Sequence, residues 1–366
     1  MRVVVVGAGL GGLCVANGLH KAGVDVEVFE ARDGIHDVGQ GYRININATG
    51  HNALRACLAD EHFQADEHFQ AYEHFQAYEH TLHRQADPAV YLYSPVLQLL
   101  SRDEAPSAPG AIDRATVRRL LADGLAGRVR FGRRVASIAD IGAADLIVAA
   151  DGVGSVLRQE LVPHASPQPL GWSAIFGRSP LTAANRAWTA PVILHSRFCG
   201  LVDGATVLAL CAYDPQARTA TEPYVMWVLM GPADALPAPG TAAAELVRFA
   251  ENRTASCDSR ATSVLREAIV ADCFLTSLRS MTEIPDIPVH TGVPVAFLGD
   301  AIHAMSPAGG EGANTALGDA ALLVSHLLAG GTIADAVARY HVGMRTTAGA
   351  ALKRSASYRA QEPSHA

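Results

Sequence analysis

The first thirty residues constrain this chain more than any other stretch. Four consecutive valines, Val3 to Val6, run into Gly7-Ala-Gly9-Leu10-Gly-Gly12. Apolar residues then recur at helical spacing (Leu10, Leu13, Cys14, Ala16, Leu19) as far as Gly23, and a second apolar run ends on Glu30. An unbroken apolar run of this length reads as a strand buried on both faces, as in a parallel sheet. The pattern predicts strand 3–6, helix 10–22 with Gly23 at its C-cap, and strand 26–30, a right-handed βαβ unit. Gly7 would permit the tight turn, Gly9 would let the backbone approach a pyrophosphate, and Gly12 would let helix and strand pack closely. The helix N-terminus, with free amides and the positive end of the dipole, suits an anion. Glu30 follows Gly12 by 18 residues, near the ~20-residue separation of an acid that grips a ribose hydroxyl. The same acid would repel a 2′-phosphate, so the site suits the adenosine half of FAD or NAD better than NADP.

Met1-Arg2 before apolar residues can imitate a secretion signal, but the glycine density and the missing cleavage site favour a strand and turn. At 366 residues the chain has room for two domains sharing an interface. Its composition is 49% hydrophobic and 18% charged. That balance excludes a disordered chain or a coiled coil. No run of 18 apolar residues predicts a membrane span. A formal charge of −7 argues against a nucleic-acid partner. The six cysteines (Cys14, Cys57, Cys199, Cys211, Cys257, Cys273) include no CxxC pair. They read as free thiols in a reducing cytoplasm, and the expected state is a cytoplasmic monomer or homodimer.

Further along, the spacing predicts a helix over 113–125 with Asp113 as N-cap, and strands near 128–131 and 145–150. The stretch 170–285 changes character, with strand-like runs at 172–178, 191–198, 205–213 and 224–230 that suggest an antiparallel sheet. From Val293 the chain returns to a buried strand, a glycine-rich loop and helices at 313–329 and 333–358. The fold class is therefore α/β, a Rossmann-like domain with a parallel sheet, interrupted by a smaller domain with a mostly antiparallel sheet and followed by C-terminal helices. The expected boundaries are 1–80, 100–165 and 290–366 for the dinucleotide-binding domain, and 81–99 and 166–289 for the substrate-binding domain.

A hexapeptide repeats from Glu61 to His80, reading Glu-His-Phe-Gln-Ala-Asp once and Glu-His-Phe-Gln-Ala-Tyr twice before a final Glu-His. Six residues is too short a period for a solenoid. On a helix it would turn Phe63, Phe69 and Phe75 about 240° apart, onto different faces. His62, His68, His74 and His80 lack the i,i+4 spacing of helical zinc pairs, so no metal site is expected. A tandem expansion in a tolerant surface helix accounts for the tract.

Two more segments carry chemistry. Asp145-Leu-Ile-Val-Ala-Ala-Asp151-Gly-Val-Gly-Ser155-Val-Leu-Arg158 is a buried strand, an Asp-Gly turn and a helix that Ser155 can cap. From the residues alone, a plain strand-to-helix turn explains it equally well. In the second, the strand Val295–Leu298 ends in Gly299-Asp300, followed by His303, Pro307, Gly309, Gly310, Gly312, Ala313 and Asn314 at the start of a long helix. Asp300 at a strand's carboxyl end can accept hydrogen bonds from ligand hydroxyls. The glycines let backbone amides approach a flat ring, at which the helix points its positive end.

Taken in this order, the three segments resemble the single-component FAD-dependent aromatic hydroxylases of the para-hydroxybenzoate and salicylate hydroxylase type. The resemblance implies that Glu30 holds the adenosine ribose and Asp300 the ribityl chain, and that Arg114 lies near the FAD phosphates. It implies that Asp151 and Arg158 belong to the segment that handles FAD and NAD(P)H. Gly7, Gly9, Leu10, Gly12, Ala31, Arg32, Pro307, Gly310, Gly312, Ala313 and Asn314 would complete the cofactor contacts. Arg32 stands one place later than the arginine that often follows the acid. Arg43 falls where the family's strand passes the flavin and the substrate cavity.

The resemblance also implies the chemistry. NADPH or NADH reduces FAD, reduced flavin captures O₂, and a flavin C4a-hydroperoxide delivers one oxygen atom to an aromatic or polyketide-like small molecule. Arg43 and His303 are the candidate catalytic side chains, although a histidine between strand and loop more often orients its neighbours. Phe176, Arg178, His195, Tyr213 and Trp227 are candidate substrate contacts, each equally compatible with plain sheet core because alternation hides which face is inward. The alternative is an FAD-dependent reductase or dehydrogenase of the same fold without oxygen transfer. The length suggests a compact form, without an extra C-terminal or nicotinamide domain.

Overall fold

The computed structural model describes residues 1–35, 41–58, 69–104, 109–125, 127–215, 221–287 and 292–360. In chain order the elements are β1 (Arg2–Val6), α1 (Leu10–Lys21), β2 (Asp25–Phe29), β3 (Arg43–Ile46), α2 (Ala48–Leu58), α3 (Phe69–Thr81), β4 (Asp87–Tyr93), β5 (Leu99–Asp103), β6 (Gly110–Asp113), α4 (Arg114–Asp123), β7 (Val129–Arg130) and β8 (Leu146–Ala149). They continue with α5 (Val156–Leu161), β9 (Gln168–Pro180), α6 (Ala183–Arg186), α7 (Pro191–His195), β10 (Ser196–Asp203), β11 (Thr206–Tyr213), β12 (Tyr224–Pro232), α8 (Ala243–Arg253) and α9 (Ser259–Thr262). The last are β13 (Phe274–Ser280), β14 (Val295–Phe297), α10 (Asp300–His303), α11 (Gly312–Leu328) and α12 (Ile333–Ala360).

Among the described residues, β14-β8-β1-β2-β7 form a parallel sheet. Its central strand is the valine run, and Val3 to Val6 are buried, as a strand covered on both faces must be. A second sheet, β13-β9-β12-β11-β10-β4-β5, is antiparallel except where β10 runs parallel to β4. The two-stranded ribbon β3-β6 stands apart from both sheets. The α/β class with one parallel and one mostly antiparallel sheet is the one the sequence pattern predicts. Among the described residues, no helix is long and apolar enough to cross a membrane.

Three details differ from expectation. The run 191–198 begins as helix α7 and becomes strand only at Ser196. Pro191 at the first helical position supplies a preset φ and lacks the N–H a strand partner would need. β5 carries the second sheet on to Asp103, past the boundary expected at 99. The hexapeptide tract is not a purely surface helix. Residues 61–68 lie outside the described residues, but in the third copy Phe75 and Tyr78 are buried in the main core. The two rings are 5.5 Å apart, and the Tyr78 hydroxyl lies 3.2 Å from Nδ1 of His51 on α2. They stand three positions apart, so they share a helix face that a six-residue period does not reveal.

This burial divides the tract. Tyr78→Ala should cost about 3 kcal/mol or more by emptying a core site. Deleting 67–72 leaves Phe75 and Tyr78 in place, preceded by a copy that differs at one position. That variant should melt within about 3 °C of the parent. Thermal melts of both variants check the pair; equal losses would contradict it.

Candidate active site

Because the five strands are parallel, the turns after β1, β2, β8 and β14 all open on one edge of the sheet, where α/β folds bind ligands. Gly7, Glu30, Asp151 and Asp300 stand at these four ends. Gly7 has φ +107°, and a Cβ there would lie 2.3 Å from the Ala150 carbonyl oxygen; a Cβ on Gly12 would lie 2.1 Å from the Gly7 carbonyl oxygen. Only glycine fits either position.

Glu30 is buried, and its carboxylate accepts from the backbone N–H groups of Ala8 (2.9 Å) and Arg32 (3.0 Å) and from Arg118 Nη2 (3.3 Å). Arg118 also donates to the carbonyls of Ala8 (2.7 Å) and Ile35 (2.9 Å). This arginine therefore braces both the glycine turn and the acid. Leu10 is the buried first residue of α1, while Ala31 and Arg32 are half-buried beside the acid. Asp113 caps α4 by accepting from the Thr116 N–H at 2.8 Å, as its position predicts. Arg114 follows it, half-buried. Burial pushes its guanidinium down, the Asp300 carboxylate opposes that shift, and Arg118 and Arg32 add further positive charge.

Asp151 works at the third strand end. Its Oδ2 accepts from the Val156 N–H at 2.9 Å, and burial raises its pKa. Arg158 is buried and donates to the carbonyls of Val153 and Ala301, each at 2.8 Å, which ties this turn to the Gly299-Asp300 turn. Asp300 is exposed at the first turn of α10. His303 is fully buried, with Nε2 2.6 Å from Asp319 Oδ2 on α11. Asp319 Oδ2 also accepts from the Gly299 N–H at 3.0 Å. Burial opposes the charged His303 ring, but the Asp319 carboxylate and Asp300 outweigh it and raise its pKa. His303 thus holds the turn beside Asp300 and is not open to solvent as a base.

Pro307 opens a single turn, Gly310 takes a left-handed conformation, and Gly312 starts α11. Ala313 is half-buried beside Asn314. The Asn314 side chain donates to the Asn45 carbonyl (2.9 Å) and accepts from the Asn47 N–H (2.9 Å), stitching α11 to β3.

These residues fit an extended dinucleotide. Among the described residues, neither α1 nor α11 has a side-chain cap on its N-terminal amides, so each helix presents unmet donors and positive potential. A Cβ on Gly9 or Gly310 would meet nothing within 4 Å, which leaves the backbone open to a ligand. Asp151 Oδ1 and Asn45 Oδ1 are buried and lack hydrogen-bond partners among the described residues. One acid at each end, Glu30 and Asp300, can accept from hydroxyls.

The second sheet has two distinct faces. Phe176, Arg178, Tyr213 and Tyr224 alternate onto one, with Met226 and Val228. A Cβ on Gly41, just before β3, would lie 3.6 Å from Phe176, which places this face against the first unit. Phe176 stacks on Phe274 at 5.1 Å. Arg178 pairs with Asp272 at 2.6 Å and lies over the rings of Tyr42 and Tyr224. The Tyr213 hydroxyl donates to the Thr81 carbonyl at 3.0 Å. Trp227 follows the sheet-core alternative. It points to the opposite face and is buried in the separate core formed with Leu210, Val225 and Leu246. His195 ends α7 and is exposed, off the sheet. Arg43 projects from β3 and is buried near Cys211 and Tyr224.

Sequence reading missed Arg118 and Asp319. Arg118 had a signal, since helical spacing from Val117 and Leu121 puts it on the buried side of α4. Asp319 had none, because its partner His303 lies on another helix.

A family model described as FAD binding domain matches residues 1–354. The chain is 29% identical over 375 residues to the dual O-methyltransferase/FAD-dependent monooxygenase elcB of Phaeosphaeria nodorum, covering 88% of this chain and 40% of that protein. It therefore spans less than half the length of such dual relatives. It is 28% identical over 380 residues to the FAD-dependent monooxygenase nscC of Aspergillus fumigatus, covering 93% and 90% of the two chains. Among solved structures, it superposes with a TM-score of 0.80 on a protein assigned as an FAD containing monooxygenase from Photorhabdus luminescens, at 27% identity and 98% and 97% coverage. The fold is also that of HpxO from Klebsiella pneumoniae, solved with FAD and uric acid (TM-score 0.75, 17% identity, 98% and 88% coverage).

Proposed function

The chain belongs to the FAD binding domain family, and from that membership we propose that it is an FAD-dependent monooxygenase acting on an aromatic or polyketide-like small molecule. The observation that carries this reading is the pair of uncapped helix N-termini, on α1 and α11, at one edge of one parallel sheet with Glu30 and Asp300 beside them. When bound, FAD supplies O₂ activation at the expense of NADPH or NADH, with one oxygen atom entering an electron-rich carbon and the other leaving as water.

The protein's part is binding, orientation and exclusion of water. The Gly7–Gly12 turn and the α1 amides would take the phosphates, with Arg114 adding positive charge. Glu30 would accept from the ribose and Asp300 from the ribityl hydroxyls. The 307–312 loop would present N–H donors to the ring, and the dipole of α11 would favour negative charge developing there. Phe176, Met226, Val228 and Phe274 would form an apolar wall that keeps water from the reacting atoms. In this division of labour the parallel sheet and C-terminal helices hold the cofactor, and the second sheet holds the substrate.

The test is a screen of aromatic compounds for stimulated NADPH or NADH oxidation, with O₂ uptake and mass detection of a product heavier by one oxygen. A hit coupled to O₂ consumption is the expected outcome. Substrate turnover without O₂ uptake would select a reductase or dehydrogenase, and protein that takes up no FAD would remove both.

A further inference from the structure

Two adjacent residues near the end of α12 reach both ends of the glycine loop. At its start, the buried Ser355 hydroxyl donates to the Ser306 carbonyl at 2.6 Å. At its end, Arg354 donates from Nε to Glu311 Oε1 (3.1 Å) and from Nη2 to Oε2 (3.3 Å). Such a parallel fork fixes the orientation of a carboxylate as well as its charge. Ala304 to Ser306 are buried, and the Met281 N–H at the end of β13 donates to the Ala304 carbonyl at 2.8 Å. Between these anchors Pro307, Ala308 and Gly310 are exposed.

Glu311 is the one acid between Asp300 and Asp319, and it stands at the N-cap of α11. A carboxylate there is drawn to the helix's positive end and to its free first-turn amides. Glu311 nevertheless makes no capping bond, and both of its oxygens accept from Arg354 instead. The fork does little for the fold. The Arg354 side chain is 55% exposed and that of Glu311 19%, and a pair open to solvent contributes little to stability. Its consequence is local, at the amides of α11.

We propose that Arg354 is a positioning residue that holds Glu311 off the N-terminus of α11 and so keeps that helix end open to the flavin ring. This rests on the FAD reading of the site and adds to it a control exerted on the flavin from α12. Ser355 sets the register of the fork, since it pins the neighbouring residue to the start of the same loop. Without the fork, Glu311 is free to turn back onto its own helix. Its carboxylate then takes donors that the ring would take, and it puts a negative charge where the reduced flavin develops one. FAD affinity and the reduction potential of the bound flavin fall together.

The test is a double-mutant cycle on the full chain. It is read as the FAD dissociation constant, by fluorescence titration of stripped protein, and as the potential of the bound flavin, against a reference dye. Arg354→Gln should raise the dissociation constant by about 10-fold. It should also lower the potential, by about 30 mV for each further tenfold lost by the reduced form. Without FAD the variant should melt within about 3 °C of wild type. Arg354→Lys keeps the charge and should recover part of both effects. In a Glu311→Ala background, Arg354→Gln should change neither quantity. Three results overturn the inference. One is an Arg354→Gln variant that keeps the wild-type affinity or potential. Another is an equal effect with and without Glu311, which makes Arg354 act through some other contact. The third is a large loss of melting temperature, which makes the fork a structural brace. Wild-type protein that takes up no FAD overturns the FAD reading and this inference with it, and is seen before any variant is compared.

Discussion

Asp319→Ala should destabilise the protein by about 3–5 kcal/mol, the typical loss when one member of a buried ion pair is removed. Both members are almost wholly inaccessible and sit 2.6 Å apart. Removing the carboxylate strands the His303 ring in the core and frees the Gly299 N–H that Asp319 accepts. The double variant His303→Leu/Asp319→Leu should recover much of the loss, because it leaves neither charge buried. Denaturant midpoints of the two variants provide the comparison, and a double variant no better than Asp319→Ala would argue against an ion pair.

The pH dependence has a definite sign. His303 has a raised pKa in the fold, so the folded state holds its proton more tightly than the unfolded chain. The stabilisation is fully present below the unfolded value, about 6.5, and is lost as pH rises through the folded value. The gap between wild type and the double variant should therefore be most favourable to wild type near pH 6 and shift against it at alkaline pH.

Asp300→Ala should raise the dissociation constant for FAD by about 10- to 100-fold, the consequence of losing a charged hydrogen-bond acceptor worth about 1.5–3 kcal/mol. Asp300 is exposed at its strand end, so the melting temperature without FAD should barely move. Flavin released per protein chain on purification, and fluorescence titration of the stripped protein, measure the effect; full flavin occupancy would contradict the role given to Asp300. Glu30→Ala should behave differently. Glu30 is already bonded to the Ala8 and Arg32 amides and to Arg118, so its loss should lower stability as well as FAD affinity.

The contrast between these acids marks what can be read from sequence. Glu30 and Asp300 are both visible as acids closing apolar runs next to glycine turns, and both stand at strand ends of one sheet. That Glu30 also holds the turn, through Arg118, depends on α4 folding back from a distant part of the chain. His303 invites a catalytic reading in sequence because nothing nearby accounts for it; its partner lies on another helix. Arg43 was placed near the cavity by resemblance, but its burial near Cys211 and Tyr224 follows from what surrounds it in three dimensions. Phe176 and Trp227 looked alike as strand aromatics, yet they face opposite sides of one sheet.

The sequence by itself determined the valine strand, the glycine turn, the capped α4 and the order of the three glycine- and aspartate-bearing segments. These depend on φ preferences, side-chain periodicity and caps acting over a few residues, and such forces are encoded locally. Only the tertiary structure decided which face of the second sheet meets the first unit, that Phe75 and Tyr78 of the third repeat copy are buried, and which charges are paired. Burial and pairing are properties of the space between elements distant in the chain. They follow from which surfaces exclude water together, and a single sequence does not spell that out residue by residue.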